Sequence, residues 1–151
     1  MVLPAFESIS HSSSVPYAMI GTLRYRPSAP MCTVEFLTEL VDTPIESPYM
    51  SFAPRLTARA AAAIPGAAHL DGSARFQTVS SDVDPWMHSL LKSVAALLGW
   101  PVLLNTSLNV KGRPIVNLIS RAFEIFDNEP EIDVLIVERF LFSQKARKSA
   151  G

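Results

Sequence analysis

Residues 105–113 contain closely spaced polar and cationic side chains of the kinds that bind anions. Asn105, Ser107 and Asn109 recur at every second position, so on an extended chain their side chains project from one face. Residues 111–114 (KGRP) follow as a turn with two cations and a glycine that lets a ligand approach the backbone. Such groups behind a buried strand suit polar, often anionic ligands. A solvated strand edge explains the same residues, and their types alone do not decide between the two interpretations.

A second candidate for anion binding is Arg75, which follows a turn at residues 71–72. Residues 74–79 predict a strand on which Arg75 and Gln77 share one face. A guanidinium directed from a strand suits bidentate contact with phosphate or carboxylate. The alternative is a surface arginine in an ion pair.

Apolar runs predict the strands that would position these groups. Residues 101–104 are predicted as a strand buried on both faces. Residues 134–137 predict a second buried strand, continued or followed by residues 140–142, and residues 49–52 predict a short one. Helical segments alternate with these runs, which indicates an α/β domain with a mixed sheet.

Residues 84–98 have the clearest helix signature. Asp84 suits the N-cap, and Gly99 suits the position after the last turn. The apolar stripe of this helix predicts a core-facing side, which places His88 and Lys92 in solvent. Three more helices are predicted at residues 33–41, at residues 56–64, and from residue 118 onward behind an Asn117 N-cap.

Length and composition indicate one soluble globular domain. The chain has 151 residues and a net charge of −1, with no basic stripe between aromatic residues, so nucleic-acid binding has little support. Its single cysteine, Cys32, fits a reducing cytoplasm. Neither a membrane span nor a signal peptide is predicted, and three scattered histidines show no metal-ligand spacing. We expect a cytoplasmic protein with an irregular segment at 1–20, a domain at 21–144 and a flexible basic tail at 145–151.

Three segments, in order, resemble the O-carbamoyltransferase family, which includes nodulation-factor, cephamycin and aminoglycoside carbamoyltransferases. Residues 103–116 (LLNTSLNVKGRPIV) resemble L-L-N-T-S-F-N-V-x-G-x-P-I-V. Residues 69–79 (HLDGSARFQTV) resemble H-V-D-G-T-A-R-x-Q-T-V, and residues 46–50 match E-S-P-Y-M. The resemblance covers roughly residues 25–144, which correspond to the C-terminal domain of that family.

The resemblance implies a YrdC-like fold, a mixed twisted sheet with flanking helices. It also implies ATP (with Mg) and carbamoyl phosphate as substrates, from which this domain makes carbamoyl-adenylate and releases pyrophosphate. In the family a separate ASKHA-type N-terminal domain then passes the carbamoyl group to the hydroxyl of a small molecule or natural product. The expected partners are therefore small-molecule substrates and a separate transferase subunit of that type, without nucleic acid or membrane.

Matched residue by residue, the resemblance implies roles at four positions. Arg75 and Ser107 are the expected catalytic residues. Arg26, Arg75, Ser107 and Asn109 are the expected contacts to nucleotide and phosphates, and no protein metal site is implied.

One family segment is only partly matched. Where the family has K-x-R-E-x-F-R-P-x-A-P, Arg26 occupies the second arginine position, but Ile20, Thr22 and Leu23 replace the lysine, the first arginine and the glutamate. Each lost cation removes charge-assisted hydrogen bonds of roughly 1.5–3 kcal/mol. Together with the missing N-terminal domain, this indicates an N-terminally truncated or diverged copy. The alternative function is a non-catalytic nucleotide-binding or interaction module that pairs with a separate transferase subunit.

Overall fold

A computed structural model describes residues 2–3, 29–110, 113–130 and 132–144 of the chain. These residues divide into two compact units. The first unit contains residues 29–106, and the second unit contains residues 2–3 and the described residues from 107 to 144. Each unit combines helix with a three-stranded sheet, so the predicted α/β class is confirmed.

The described elements comprise six strands and four α-helices. The strands are β1 (Val2–Leu3), β2 (Ala29–Thr33), β3 (Gln77–Val79), β4 (Val102–Asn105), β5 (Val134–Val137) and β6 (Phe140–Ser143). The α-helices are α1 (Leu37–Leu40), α2 (Ala58–Ala63), α3 (Pro85–Leu98) and α4 (Ile119–Asn128), and short 3-10 helices lie at Val34–Phe36 and Pro65–Ala67.

The sheet of the first unit has the order β3-β2-β4 and is mixed, as predicted. The central strand β2 is buried throughout and runs parallel to β3 and antiparallel to β4. In this register Gln77 lies opposite Met31 and Asn105 lies opposite Ala29. Because Ala29 and Met31 are two residues apart on one strand, Gln77 and Asn105 project from the same face of the sheet.

The core of the first unit packs helices α1 and α2 against this sheet. Phe76, Leu40 and Cys32 are among its largest fully buried side chains, each with at most 1% of its surface exposed. Burial raises the pKa of the Cys32 thiol to about 12, so this thiol stays protonated at neutral pH. Thr57 joins the two helices, because its hydroxyl caps α2 and also donates to the Glu39 carbonyl.

Helix α3 confirms the predicted caps but corrects one predicted face. The Asp84 carboxylate accepts from the Met87 N–H at 2.9 Å, and Gly99 has a φ of 81°. His88 was predicted in solvent; this is wrong, because the residue is buried and its Nε2 lies 3.0 and 3.1 Å from the two oxygens of Glu35. A partner 53 positions away in sequence satisfies the imidazole, and helical periodicity contains no signal for it.

Other differences from the predicted elements occur where local patterns compete with tertiary contacts. The strand predicted at 49–52 is wrong, because a turn follows Ser47 and Met50 has a φ of 58°. The strand predicted at 74–79 forms only over Gln77–Val79, so Arg75 precedes it. The helices predicted at 33–41 and 56–64 are shorter, and the N-cap of α4 is Leu118 rather than Asn117.

The second unit has the sheet order β1-β5-β6, with antiparallel pairing throughout. Helix α4 buries Ala122 and Phe126 together with Leu135 of β5. The Gln144 side chain donates to the backbone carbonyls of Phe126 and Glu129, so it closes the C-terminal end of this helix. Within the described ranges, no helix combines the length and apolar character needed to cross a membrane.

Candidate functional site

Two of the motif segments are bound to each other through Ser47 and Thr78. The Ser47 N–H donates to the Thr78 hydroxyl at 2.8 Å, and the Thr78 N–H donates to the Ser47 carbonyl at 3.1 Å. The Ser47 hydroxyl in turn accepts from the N–H of Ser51 at 2.8 Å. Both side chains are buried, so the reciprocal pair fixes the turn at residues 47–50 on strand β3.

All three motif segments meet at the side chain of Asn105. Its amide nitrogen donates to the Gln77 Oε1 and lies 3.9 Å from the Met50 Sδ. These half-buried residues come from the E-S-P-Y-M turn, from strand β3 and from the end of strand β4. The contact spans strand β2, on which Ala29 lies opposite Asn105 and Met31 lies opposite Gln77. We call Met50, Gln77 and Asn105 the amide cluster.

The loop before Arg75 is organised by three polar side chains. The Ser73 N–H and hydroxyl both donate to the Asp71 Oδ1, at 2.9 and 2.7 Å, and the Ser73 oxygen lies 2.9 Å from the His69 Nδ1. Because the serine proton is used on Asp71, His69 donates from Nδ1. These hydrogen bonds lower the pKa of Asp71 below its ordinary value. The bond from the Ser73 backbone N–H has the largest effect, and the bond from the Ser73 hydroxyl has the next largest. Gly72 has a φ of 80°, which glycine adopts without strain.

Arg75 lies between the buried residues Ala74 and Phe76, and its own side chain is exposed. Its two neighbours are buried, whereas the Arg75 side chain reaches the surface. Among the residues that the structure describes, no carboxylate pairs with Arg75. Within the described part of the chain its charge is therefore available for an anion.

Ser107 and Asn109 belong to the second unit, where they form an exposed loop. The Ser107 hydroxyl donates to the Asn109 Oδ1 at 2.6 Å, and the Asn109 Nδ2 donates to the Arg113 carbonyl at 3.2 Å. The Val116 N–H donates to the Leu108 carbonyl at 3.0 Å and closes the loop at its base. The serine and the asparagine are thus in contact, but strand β4 ends at Asn105 and both residues lie in the loop beyond it.

The predicted site residues are thus distributed over separate parts of the described chain. Ser107 and Asn109 lie together, Arg75 lies in the other unit, and Arg26 lies outside the described residues, as do residues 111–112. Across the described ranges, no three His, Cys, Asp or Glu side chains are grouped to hold a metal ion.

Sequence reasoning noted Asn105 as one of several polar side chains without a specific role, and it singled out neither Met50 nor Gln77 as a site residue. Both lie within segments that match family motifs, and this was the available signal. Their types were uninformative, since a half-buried methionine and a strand glutamine are ordinary structural residues.

Comparison with known proteins connects this arrangement to one family. Residues 18–144 match the family described as carbamoyltransferase C-terminus. A 3'-hydroxymethylcephem-O-carbamoyltransferase from Amycolatopsis lactamdurans is 44% identical over 96 residues, which cover 64% of this chain and 18% of that protein.

Two nodulation proteins are also similar. Nodulation protein NolO of Bradyrhizobium diazoefficiens is 32% identical over 124 residues, 80% of this chain and 22% of its own length. Nodulation protein U of Rhizobium tropici is 37% identical over 89 residues, 59% of this chain and 16% of its own length. The chain spans less than a quarter of the length of each of these three relatives. Because the family match covers most of its residues, the chain belongs to the carbamoyltransferase C-terminal family.

Proposed function

We propose that this chain binds ATP and carbamoyl phosphate and forms carbamoyl-adenylate. Water cleaves carbamoyl phosphate to carbamate and orthophosphate, and a carbamate oxygen then attacks the α-phosphorus of ATP with release of pyrophosphate. The activated carbamoyl group then serves the O-carbamoylation of a hydroxyl on a small molecule or natural product. Family membership supports this proposal, as do relatives whose name specifies carbamoyl transfer to a hydroxymethylcephem. Mg²⁺ enters with the nucleotide, since it binds mainly through phosphate oxygens.

One observation supports this function most directly: the three motif segments converge on the amide cluster in the first unit. Segments 28 and 55 positions apart in sequence meet there through polar side chains. Arg75, two positions before Gln77 in sequence, is an exposed cation that no carboxylate of the described residues pairs with. A polar cluster and an available guanidinium suit a small phosphorylated substrate.

The proposed roles follow from the chemistry of each side chain. Arg75 and Arg26 neutralise phosphate charge, because guanidinium groups stay protonated and bind phosphate oxygens in a bidentate manner. The Ser107 hydroxyl and the Asn109 amide orient phosphate oxygens of the nucleotide. In adenylate formation such groups act by positioning the reactants and by stabilising developing negative charge.

The transfer step requires a second protein part. We propose a separate ASKHA-type transferase subunit as the partner that accepts carbamoyl-adenylate and holds the acceptor hydroxyl. Such a subunit would shield the intermediate from water, because closed sites prevent hydrolysis of reactive groups.

The test measures pyrophosphate release by the purified chain with ATP and carbamoyl phosphate. We expect release that depends on both substrates and falls at least tenfold in Arg75→Ala and in Ser107→Ala. Arg59→Ala and Ser81→Ala are the matched controls, since they remove an exposed arginine and an exposed serine outside the motif segments. Equal losses in the controls, or no loss in the two test variants, would contradict the assigned roles.

A second function, a non-catalytic nucleotide-binding or interaction module, is favoured by one observation. Ile20, Thr22 and Leu23 occupy positions where the family has two cations and a carboxylate. Fewer cations at a polyphosphate weaken the charge neutralisation that the transition state requires. Calorimetric ATP binding without pyrophosphate release would establish this second function instead.

A further inference from the structure

The amide cluster leaves one donor group and one acceptor group without partners. Asn105 uses its amide nitrogen on Gln77 and Met50, so its Oδ1 keeps its accepting capacity. Gln77 uses its Oε1 on Asn105, so its Nε2 keeps both donating hydrogens. Among the described residues, neither the Asn105 Oδ1 nor the Gln77 Nε2 has a hydrogen-bond partner.

The orientation of the Asn105 amide follows from its neighbours. A thioether sulfur and the Gln77 carbonyl oxygen are both acceptors, so the amide nitrogen of Asn105 faces them. The register of strands β2, β3 and β4 places both side chains on one face of the sheet. The unpartnered acceptor and the unpartnered donor therefore belong to fixed strand positions on the same face of the sheet.

We infer that the Asn105 and Gln77 side chains recognise the carbamoyl group of the substrate. A carbamoyl group is itself a planar amide with an NH₂ donor and a C=O acceptor. The Asn105 Oδ1 accepts from its NH₂, and the Gln77 Nε2 donates to its carbonyl oxygen. This inference rests on the proposed function and assigns specificity within that site to residues that carry no charge.

The neighbouring cation completes the match to a carbamoyl phosphate. Two residues of extended chain span roughly 7 Å, so Arg75 and Gln77 lie close enough to contact adjacent parts of one small molecule. The Arg75 side chain is exposed and the Gln77 side chain is half-buried. Arg75 then binds the phosphate while the amides bind the uncharged end.

The pair discriminates by hydrogen bonding rather than by size. Acetyl phosphate has the same phosphate and carbonyl but carries CH₃ where carbamoyl phosphate carries NH₂, so it cannot donate to the Asn105 Oδ1. A site built to bond an NH group rejects the analogue that lacks it, because its own polar atom is left unpaired. The loss of one such hydrogen bond lowers the affinity for the ligand about two- to tenfold.

The experiment titrates the purified chain with carbamoyl phosphate and with acetyl phosphate by calorimetry. The wild-type chain is expected to prefer carbamoyl phosphate by that factor. Asn105→Leu should abolish the preference for carbamoyl phosphate. Gln77→Met should weaken the binding of both ligands about equally, because both ligands retain the carbonyl group. Asn117→Leu replaces an exposed asparagine of the second unit and should preserve the wild-type preference.

The outcomes separate this inference from the proposed function. Equal wild-type affinities, or a preference retained by folded Asn105→Leu, would overturn the inference even if pyrophosphate is released. Preferential binding of carbamoyl phosphate without pyrophosphate release would uphold the inference and overturn adenylate formation. Failure to bind carbamoyl phosphate would overturn both. If Asn105→Leu does not fold, the wild-type comparison of the two ligands decides.

Discussion

The two compact units hold their motif residues in different ways. In the first unit the decisive hydrogen bonds join residues that are far apart in sequence: Asn105 and Gln77 by 28 positions, and Ser47 and Thr78 by 31. In the second unit Ser107 bonds to Asn109 two positions away, and Asn109 bonds to a carbonyl four positions away. The geometry of the first site therefore depends on the fold, whereas the second is a loop held by hydrogen bonds between near neighbours.

The largest expected difference is in the stability lost when a phenylalanine of each unit is replaced by alanine. Phe76→Ala removes a ring that is 1% exposed and should lower the free energy of unfolding by about 3–5 kcal/mol. Phe140→Ala in the second unit removes a ring that is 59% exposed and should change it by only about 0.5 kcal/mol. Urea unfolding followed by circular dichroism measures both, and similar losses would contradict the proposed difference in burial.

A smaller effect tests the bond between two motif segments. Thr78→Val keeps the shape of the side chain but leaves the buried Ser47 N–H without an acceptor, which should cost about 1–3 kcal/mol. Thr43→Val, at an exposed position, is the matched control and should be nearly neutral. A loss in Thr78→Val no greater than in this control would show that the reciprocal pair does not stabilise the turn.

The loop of the second unit should contribute little to stability. Ser107→Ala removes an exposed hydrogen bond between near neighbours, so the free energy of unfolding should change by no more than about 0.5 kcal/mol. A loss of pyrophosphate release in the same variant would then report on function rather than on folding. A large loss of stability would instead show that this loop supports the fold.

The smallest effect is a pH dependence at the contact between Glu35 and His88. The pKa of Glu35 lies below its ordinary value of 4.5, mainly because the carboxylate accepts a backbone hydrogen bond, and His88 lowers this pKa further. Stability from this carboxylate is therefore present above pH 4.5 and is lost as the pH falls through the lowered folded pKa. The difference in unfolding free energy between wild type and Glu35→Gln should shrink on acidification, and a constant difference would contradict this.

Local sequence was sufficient for elements that are specified by their own ends. Helix α3 begins and ends as predicted because Asp84 and Gly99 satisfy helix-terminal requirements within a few residues. The apolar runs of β4 and β5 were predicted because a buried strand needs a short continuous apolar segment. The family was likewise evident from three segments read in order, and the match over residues 18–144 confirms it.

Tertiary structure decided what depends on distant partners. The burial of His88, the turn after Ser47 and the short strand β3 each follow from contacts across 31 or more positions, which no local pattern encodes. The amide cluster has the same origin, because strand register brings Gln77 and Asn105 together across β2. Sequence alone determined the residue types and the family, while the packing of β2 between β3 and β4 determined which side chains meet.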